Sequence, residues 1–154
     1  MANYKGVNLA NSRSQFMQAF GDAVSEYDIT ETITALLALA DTVDLIRVAG
    51  GTELHVLETW GADLDTATTL QVKIGYFKVD GGGVLTDVDD YFGSGLTNFQ
   101  AAVLSSGPTR YAFQPITFNE DVIIRATVTA AATSTAITTG KINTHILGRA
   151  RGVK

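Results

Sequence analysis

The chain has 154 residues, 45% of them hydrophobic, and a net charge of −5, which is the size of a single domain able to bury an independent core. It contains no cysteine, so disulfides, thiolate metal sites and cysteine nucleophiles are closed to it. All 16 acidic residues lie between Asp22 and Asp121 with only four basic ones among them, while seven basic residues and no acidic ones occupy the two ends; so acidic a body argues against free nucleic acid as a partner, because phosphate binding needs a net basic footprint.

Residues 1–21 are polar, rich in Asn, Ser and Gln, with Phe16, Met17 and Phe20 as a bulky apolar group near their end. They read as an extended arm leading to a short anchoring segment. This stretch has no apolar run of the signal-peptide kind, and Ala35–Ala40, the longest apolar run in the chain, is too short to span a bilayer. The expectation is a protein made and first folded in the cytoplasm, with no membrane partner.

From Asp22 onward most of the chain alternates with period two, using β-branched and aromatic residues that suit a half-buried pleated surface. Tyr27–Leu39 mixes signals, but the spacing of Thr30, Thr32 and Thr34 against Ile29 and Ile33 predicts a strand. Val43–Ala49 is a second strand, turned by Gly50 and Gly51 into one carrying Leu54, Val56 and Trp60. In Thr69–Val79, Leu70, Val72, Ile74 and Tyr76 share a face. Gly81 to Gly83 and Gly93 to Gly95 bracket a predicted loop, Asn98–Leu104 suits a helical turn or a short strand, and Gly107 with Pro108 marks another turn. Tyr111–Phe118 is strand-like, with Pro115 placing it on an edge or at a bulge. Asp121–Ala130 alternates cleanly, and Ile142 with Ile146 marks a last strand before a basic tail, Gly148–Lys154. Seven or eight short strands between such turns predict an all-β fold, a β-sandwich of jelly-roll type. The division expected is an arm at 1–21, a sandwich at 22–147 and a tail at 148–154.

Chemistry-bearing constellations are sparse. Asp80, Asp87, Asp89 and Asp90 surround a glycine-rich loop and offer hard oxygen ligands, but the ordered spacing of a calcium loop is missing, and a solvated acidic turn accounts for them equally well. Asp63 and Asp65 have the residue types of an acid/base pair, yet lie two apart in a Thr-rich turn with nothing to split their pKa values. His55 and His145 sit singly on strands, opposite the larger apolar residues, where a surface or interface role is expected. Ser94, between two glycines, lacks the helix that would complete a nucleophile elbow. Trp60, Tyr76, Tyr91, Phe92, Tyr111, Phe113 and Phe118 are the residue types of a sugar-stacking platform, and equally of a sandwich core. The reading is a non-enzymatic protein that needs no metal or cofactor. Its basic ends suit contact with an acidic partner surface, which makes Tyr4, Lys5, Arg13, Phe16, Phe20, Arg149, Arg151 and Lys154 the candidate partner-binding residues.

The order of parts resembles a known family. An arm of Tyr4, Lys5, Gly6, Val7 and Asn8 leads to a Thr/Ile strand and then to Asp44-Leu-Ile-Arg-Val-Ala-Gly50. After Leu54-His-Val-Leu57 comes a Leu64-Asp-Thr-Ala67 turn into Thr68–Gly75, and Asp121-Val-Ile-Ile-Arg-Ala-Thr-Val-Thr-Ala-Ala131 precedes the close. Over about residues 3–147 this resembles the decoration, or cement, proteins that bind the outside of tailed-bacteriophage heads, with the Gly148–Lys154 tail as a departure. The resemblance implies a virion structural protein on the capsid surface, partnered by the major capsid protein and by its own copies in a homotrimer. Another virion part, such as a capsid-proximal head-fibre or tail protein, and a β-sandwich module binding glycan or Ca²⁺ are the alternative readings of the same strand pattern.

Overall fold

The structure, a computed structural model, describes residues 3–5, 17–18, 23–61, 63–79, 83–100, 108–133 and 140–151. Among these the regular elements are all strands: β1 (Asn3–Lys5), β2 (Met17–Gln18), β3 (Ala23–Ile29), β4 (Thr42–Val48), β5 (Thr52–Gly61), β6 (Gln71–Lys78), β7 (Val88–Leu96), β8 (Thr109–Arg110), β9 (Ile116–Thr117), β10 (Val122–Ala130) and β11 (Ile142–Ala150). They form two sheets. The first, sheet A, has the order β1-β4-β10-β6-β7; the second, sheet C, has the order β2-β3-β11-β5-β8, with β9 also on β5. All pairings are antiparallel except β1 with β4. The expected β-sandwich is the observed architecture.

The period-two pattern builds the core. Val122, Ile124, Ala126 and Val128 of β10 are buried, and their register partners Val48, Ile46 and Val43 on β4, and Tyr76, Ile74 and Val72 on β6, are buried with them. Leu54, Leu57, Ile142 and Ile146 from sheet C belong to the same cluster. Each such side chain taken fully out of water contributes about 1.5–3 kcal/mol. Phe92 and Phe113 stack edge to face at 4.8 Å, and Tyr76 packs on Phe118 at 5.1 Å, so most of the aromatic residues are structural.

Local readings of the sequence need correction in three places. The strand expected at Tyr27–Leu39 is instead β3, Ala23–Ile29. After Ile29 the chain leaves the sheet and caps the sandwich: Thr30 Oγ1 accepts the Ile142 N–H at 2.9 Å, Ile33 makes an isolated bridge to Gly140, and the Leu37 carbonyl accepts the Ala132 N–H. Ile33 and Leu37 are buried as plugs. Gly93 to Gly95 lie inside β7 rather than in a loop. Their positive φ angles, 140° at Gly93 and 63° at Gly95, suit the irregular register of β7 against β6, and a glycine adopts such angles without the penalty a Cβ would bring. Opposite, a Cβ on Gly75 would come within 2.0 Å of the Val88 carbonyl. Finally, Tyr111–Phe118 is not one strand. Two short pieces, β8 and β9, attach to opposite ends of the β5 edge, and Pro115 falls in the stretch between them. In the expected Asn98–Leu104 element, residues 98–100 form a turn and the rest lies outside the described residues.

Candidate partner-binding surfaces

The candidate residues at the two ends are carried by different sheets. Tyr4 and Lys5 lie on β1, at the edge of sheet A, in parallel register with Val43 and Asp44, and Tyr4 packs half-buried against the core. Arg149 and Arg151 lie at the far end of sheet C. Strand β11 runs on through Ala150, with Arg149 in register with Glu53 and Ala23. Arg149 is exposed. The Arg151 N–H donates to the Gly51 carbonyl at 2.6 Å and its Nε to Glu53 Oε2 at 2.5 Å. That hydrogen bond, with the charges of Arg151 and His55, holds the Glu53 carboxyl below its ordinary range despite a desolvation effect in the other direction. Arg13, Phe16, Phe20 and Lys154 lie outside the described residues.

The acidic and histidine candidates resolve into structural contacts. Asp65 is fully buried and ties a turn together. Its Oδ2 accepts the N–H groups of Leu70 at 2.6 Å and Thr69 at 2.7 Å and the Thr69 hydroxyl at 2.8 Å, and its Oδ1 faces the N–H groups of Ala67 and Thr133. Asp63 Oδ1 accepts the N–H of Asp65. Buried and surrounded by these donors, the carboxylate serves the turn and has no room for substrate. Around the glycine-rich loop, Asp89 pairs with Lys73 and Asp87 accepts the Lys78 N–H at 2.8 Å, while Asp80 lies outside the described residues. His55 Nε2 sits 3.4 Å from Glu53.

The outward face of sheet C is the surface that sequence reasoning missed. Tyr27, 49% exposed, stacks at 5.6 Å on Trp60 and donates through its hydroxyl to Asn143 Oδ1 at 2.5 Å. Leu147 is also exposed on β11. Between them His145 approaches Ser25 Oγ through Nε2 at 3.1 Å and Glu58 Oε2 through Nδ1 at 3.4 Å. These three side chains have the connectivity of a nucleophile, base and orienting acid. Ser25, however, sits mid-strand between ladder partners Met17 and Leu147, so its backbone N–H belongs to the sheet rather than to an oxyanion hole. The array is a cross-strand polar ladder. Its missed signal is the run Val24-Ser-Glu-Tyr-Asp28, whose alternation places Tyr27 outside once the strand is begun at Ala23.

Beside this face, the chain between β8 and β9, tied to β5 by the Tyr111 N–H on the Leu57 carbonyl at 3.0 Å, borders an open groove of about 550 Å³ lined by His55 and residues 110–114. Arg110 is its exposed cation. Flat aromatic and polar faces, exposed arginines and a shallow groove suit contact with a macromolecular surface better than enclosure of a small substrate.

No family model matches the chain, and no curated protein matches it in sequence. The fold does have likenesses among solved structures. A chain in the capsid of Ralstonia phage GP4 superposes with a TM-score of 0.67 at 17% identity, over 99% of this chain and 100% of that one. A chain in the cyanophage Pam1 capsid asymmetric unit gives 0.62 at 20% identity over 88% and 91%. One in the acid-stable capsid of Helicobacter pylori bacteriophage KHP30 gives 0.51 at 15% identity over 83% and 88%. At these identities what is shared is the fold.

Proposed function

We propose that this chain is a virion structural protein that binds the outer surface of a phage capsid and stabilises the head, docking on the major capsid protein as a homotrimer. The observation that carries the reading is the end-to-end likeness to a chain in the capsid of Ralstonia phage GP4, supported by the two further capsid likenesses. Strand order supports it as well. With β1 and β2 set aside, and β8 with β9 counted as one strand, the sheets read first-eighth-third-sixth and second-seventh-fourth-fifth, which is the two-Greek-key winding of a jelly roll. Such a body is rigid without cofactor chemistry. The weak contacts of a small surface are enough for occupancy when many copies sit on one shell.

The test is reconstitution: purified protein is added to particles lacking it, and the particles are imaged by electron cryo-microscopy. The reading expects added density for the sandwich outside the shell and a higher melting temperature of the particle. No added density, or density confined to the interior or the tail, overturns it. Light scattering on the free protein checks the oligomer, with three times the 16.3 kDa chain mass expected.

A further inference from the structure

The loop between β6 and β7 holds an apolar side chain out into solvent. Val84 is 95% exposed, and the loop that carries it is fixed from below. The Val84 N–H donates to Glu120 Oε1 at 2.7 Å, Leu85 packs half-buried against the core, and Asp87 Oδ1 accepts the Lys78 N–H at 2.8 Å. Among the described residues neither Glu120 nor Asp87 is in an ion pair, and nor is the exposed Asp90 that follows. The result is a rigid apolar tip set among carboxylates.

The groove between β8 and β9 has the opposite character. Its wall is preformed: Phe113 stacks edge to face on Phe92 at 4.8 Å, and the Tyr91 hydroxyl donates to the Gln114 carbonyl at 3.0 Å. Ala112 is exposed beside Phe113. Arg110 stands opposite Glu58 in register, but Glu58 Oε2 lies 3.4 Å from His145 Nδ1, and among the described residues Arg110 has no ion pair. His55, also in the lining, sits 3.4 Å from Glu53. Arg110 is therefore the cation that the groove offers.

We propose that the Val84 loop of one copy of this chain seats in the Arg110–Phe113 groove of the next, with Val84 against Ala112 and Phe113 and the carboxylates of Asp87 and Glu120 toward Arg110. Charge and surface character select this occupant together, an acidic knob with an apolar tip for a groove with an apolar wall and a cation at its rim. At about 550 Å³ the groove admits a loop tip rather than a single side chain. Two bodies of net charge −5 repel each other, and a contact of this polarity offsets that repulsion where they meet. Knob and groove are different surfaces of one chain, so the contact is heterologous and closes as a ring. A ring of three rests on the homotrimer reading above; the contact names the surfaces that would build it.

The chain has no cysteine, so cross-linking reads the contact cleanly. Val84→Cys and Ala112→Cys, both at exposed positions, are made singly and together and treated with a short bis-maleimide, in solution and on particles. The expected result is a covalent trimer from the double variant, a covalent pair from a mixture of the two single variants, and single chains from either alone. Light scattering adds the energetics. Val84→Arg sets like charge against Arg110 without touching the fold, and Arg110→Glu sets like charge against the carboxylates. Each is expected to raise the concentration for half-assembly by about tenfold, and the two together to recover most of it. A trimer that does not cross-link, cross-links confined within one chain, or single variants that cross-link as well as their mixture overturn the proposal and leave the homotrimer standing. A monomer at every concentration, in solution and on particles, overturns both.

Discussion

Sheets A and C use charge in opposite ways. On the outward side of sheet A, acids and bases face each other across strands: Asp44 with Arg125, Arg47 with Asp121 at 2.5 Å, and Lys73 with Asp89. Arg125 also lies 4.9 Å over the Phe77 ring. On sheet C the carboxyl groups of Glu26 and Asp28 are buried, and the outward side carries Tyr27, Trp60, His145 and Leu147. One acidic body thus contains a sheet whose charges are spent on register and a sheet whose outer face carries exposed aromatic and polar side chains instead. The lesson is that net charge along the sequence overstates the free charge on the surface. Asp44, Asp89 and Asp121 count toward the acidic middle of the chain, yet each is paired.

The sharpest way to break the comparison is to unpair sheet A. Asp44 is almost fully buried beneath Arg125, which reaches it through Nε and Nη2. Removing one partner of a buried pair strands the other charge and costs about 3–5 kcal/mol. Asp44→Ala or Arg125→Ala should therefore lower Tm by about 10 °C. The double change Asp44→Leu with Arg125→Met should recover most of that loss, because no lone charge remains. Thermal melts of the three variants decide it; a loss under 1 kcal/mol in both single variants would mean that the sheet does not depend on the pair.

A smaller and opposite effect is expected on sheet C. The Glu26 carboxyl is raised above its ordinary value, so its contribution to stability is present in full below about pH 4.5 and is lost as pH rises through about 7. The Asp121 carboxyl behaves inversely: burial opposes ionisation, but the Gly50 N–H at 2.8 Å and Arg47 outweigh it and hold the group below its ordinary range. Its contribution is present above about pH 4 and fades on acidification. Tm should peak near about pH 5–6 and decline toward pH 8. Glu26→Gln should flatten the alkaline side and gain about 1 kcal/mol at pH 8, less than the full shift because the carboxyl keeps some contact with water. A wild-type curve level from pH 5 to 8 would refute this reading of the buried acid.

How much of this was legible in the sequence depended on which residues the pattern used. The strands at 42–48, 52–61, 71–78 and 122–130 are visible because their buried positions are aliphatic or aromatic and recur every second residue. Two of the segments that carry the family resemblance, Asp44 to Gly50 and Asp121 to Ala131, turn out to be bonded to each other: Asp44 to Arg125, Arg47 to Asp121, and the Gly50 N–H to Asp121 Oδ1. Their shared charges mark a register, a physical meaning that spacing alone does not reveal. Strand β3 was misplaced because its inward positions include Glu26 and Asp28, so the usual polar-out rule points the wrong way. The outward aromatic face of sheet C went with it, since Tyr27 faces outward only in the correct register. Asp65 looked like half of an acid/base pair because a sequence cannot show that the donors meeting it come from as far away as Thr133.

The finest distinction concerns the basic end of the chain, where the expected effect on stability is least and the expected effect on docking is largest. Deleting everything from Gly148 would confuse the two, because residues 148–150 are rungs of β11 and the Arg151 N–H bonds to Gly51. Charge removal in place is the cleaner change. Arg149→Gln leaves the ladder intact, and Arg151→Gln gives up one exposed pair with Glu53, side chains 52% and 18% accessible, a contact that solvent screens to little net worth. Tm should move by under about 2 °C in either variant. If the arginines meet an acidic capsid surface, retention of the double variant on particles should fall severalfold at low salt, and wild-type retention should fall likewise as salt screens exposed contacts. Unchanged retention at every salt concentration would remove the basic end from the docking surface and leave the Tyr27–Trp60 face of sheet C as the place to look, with Tyr27→Ala as the variant to measure next on the same particles.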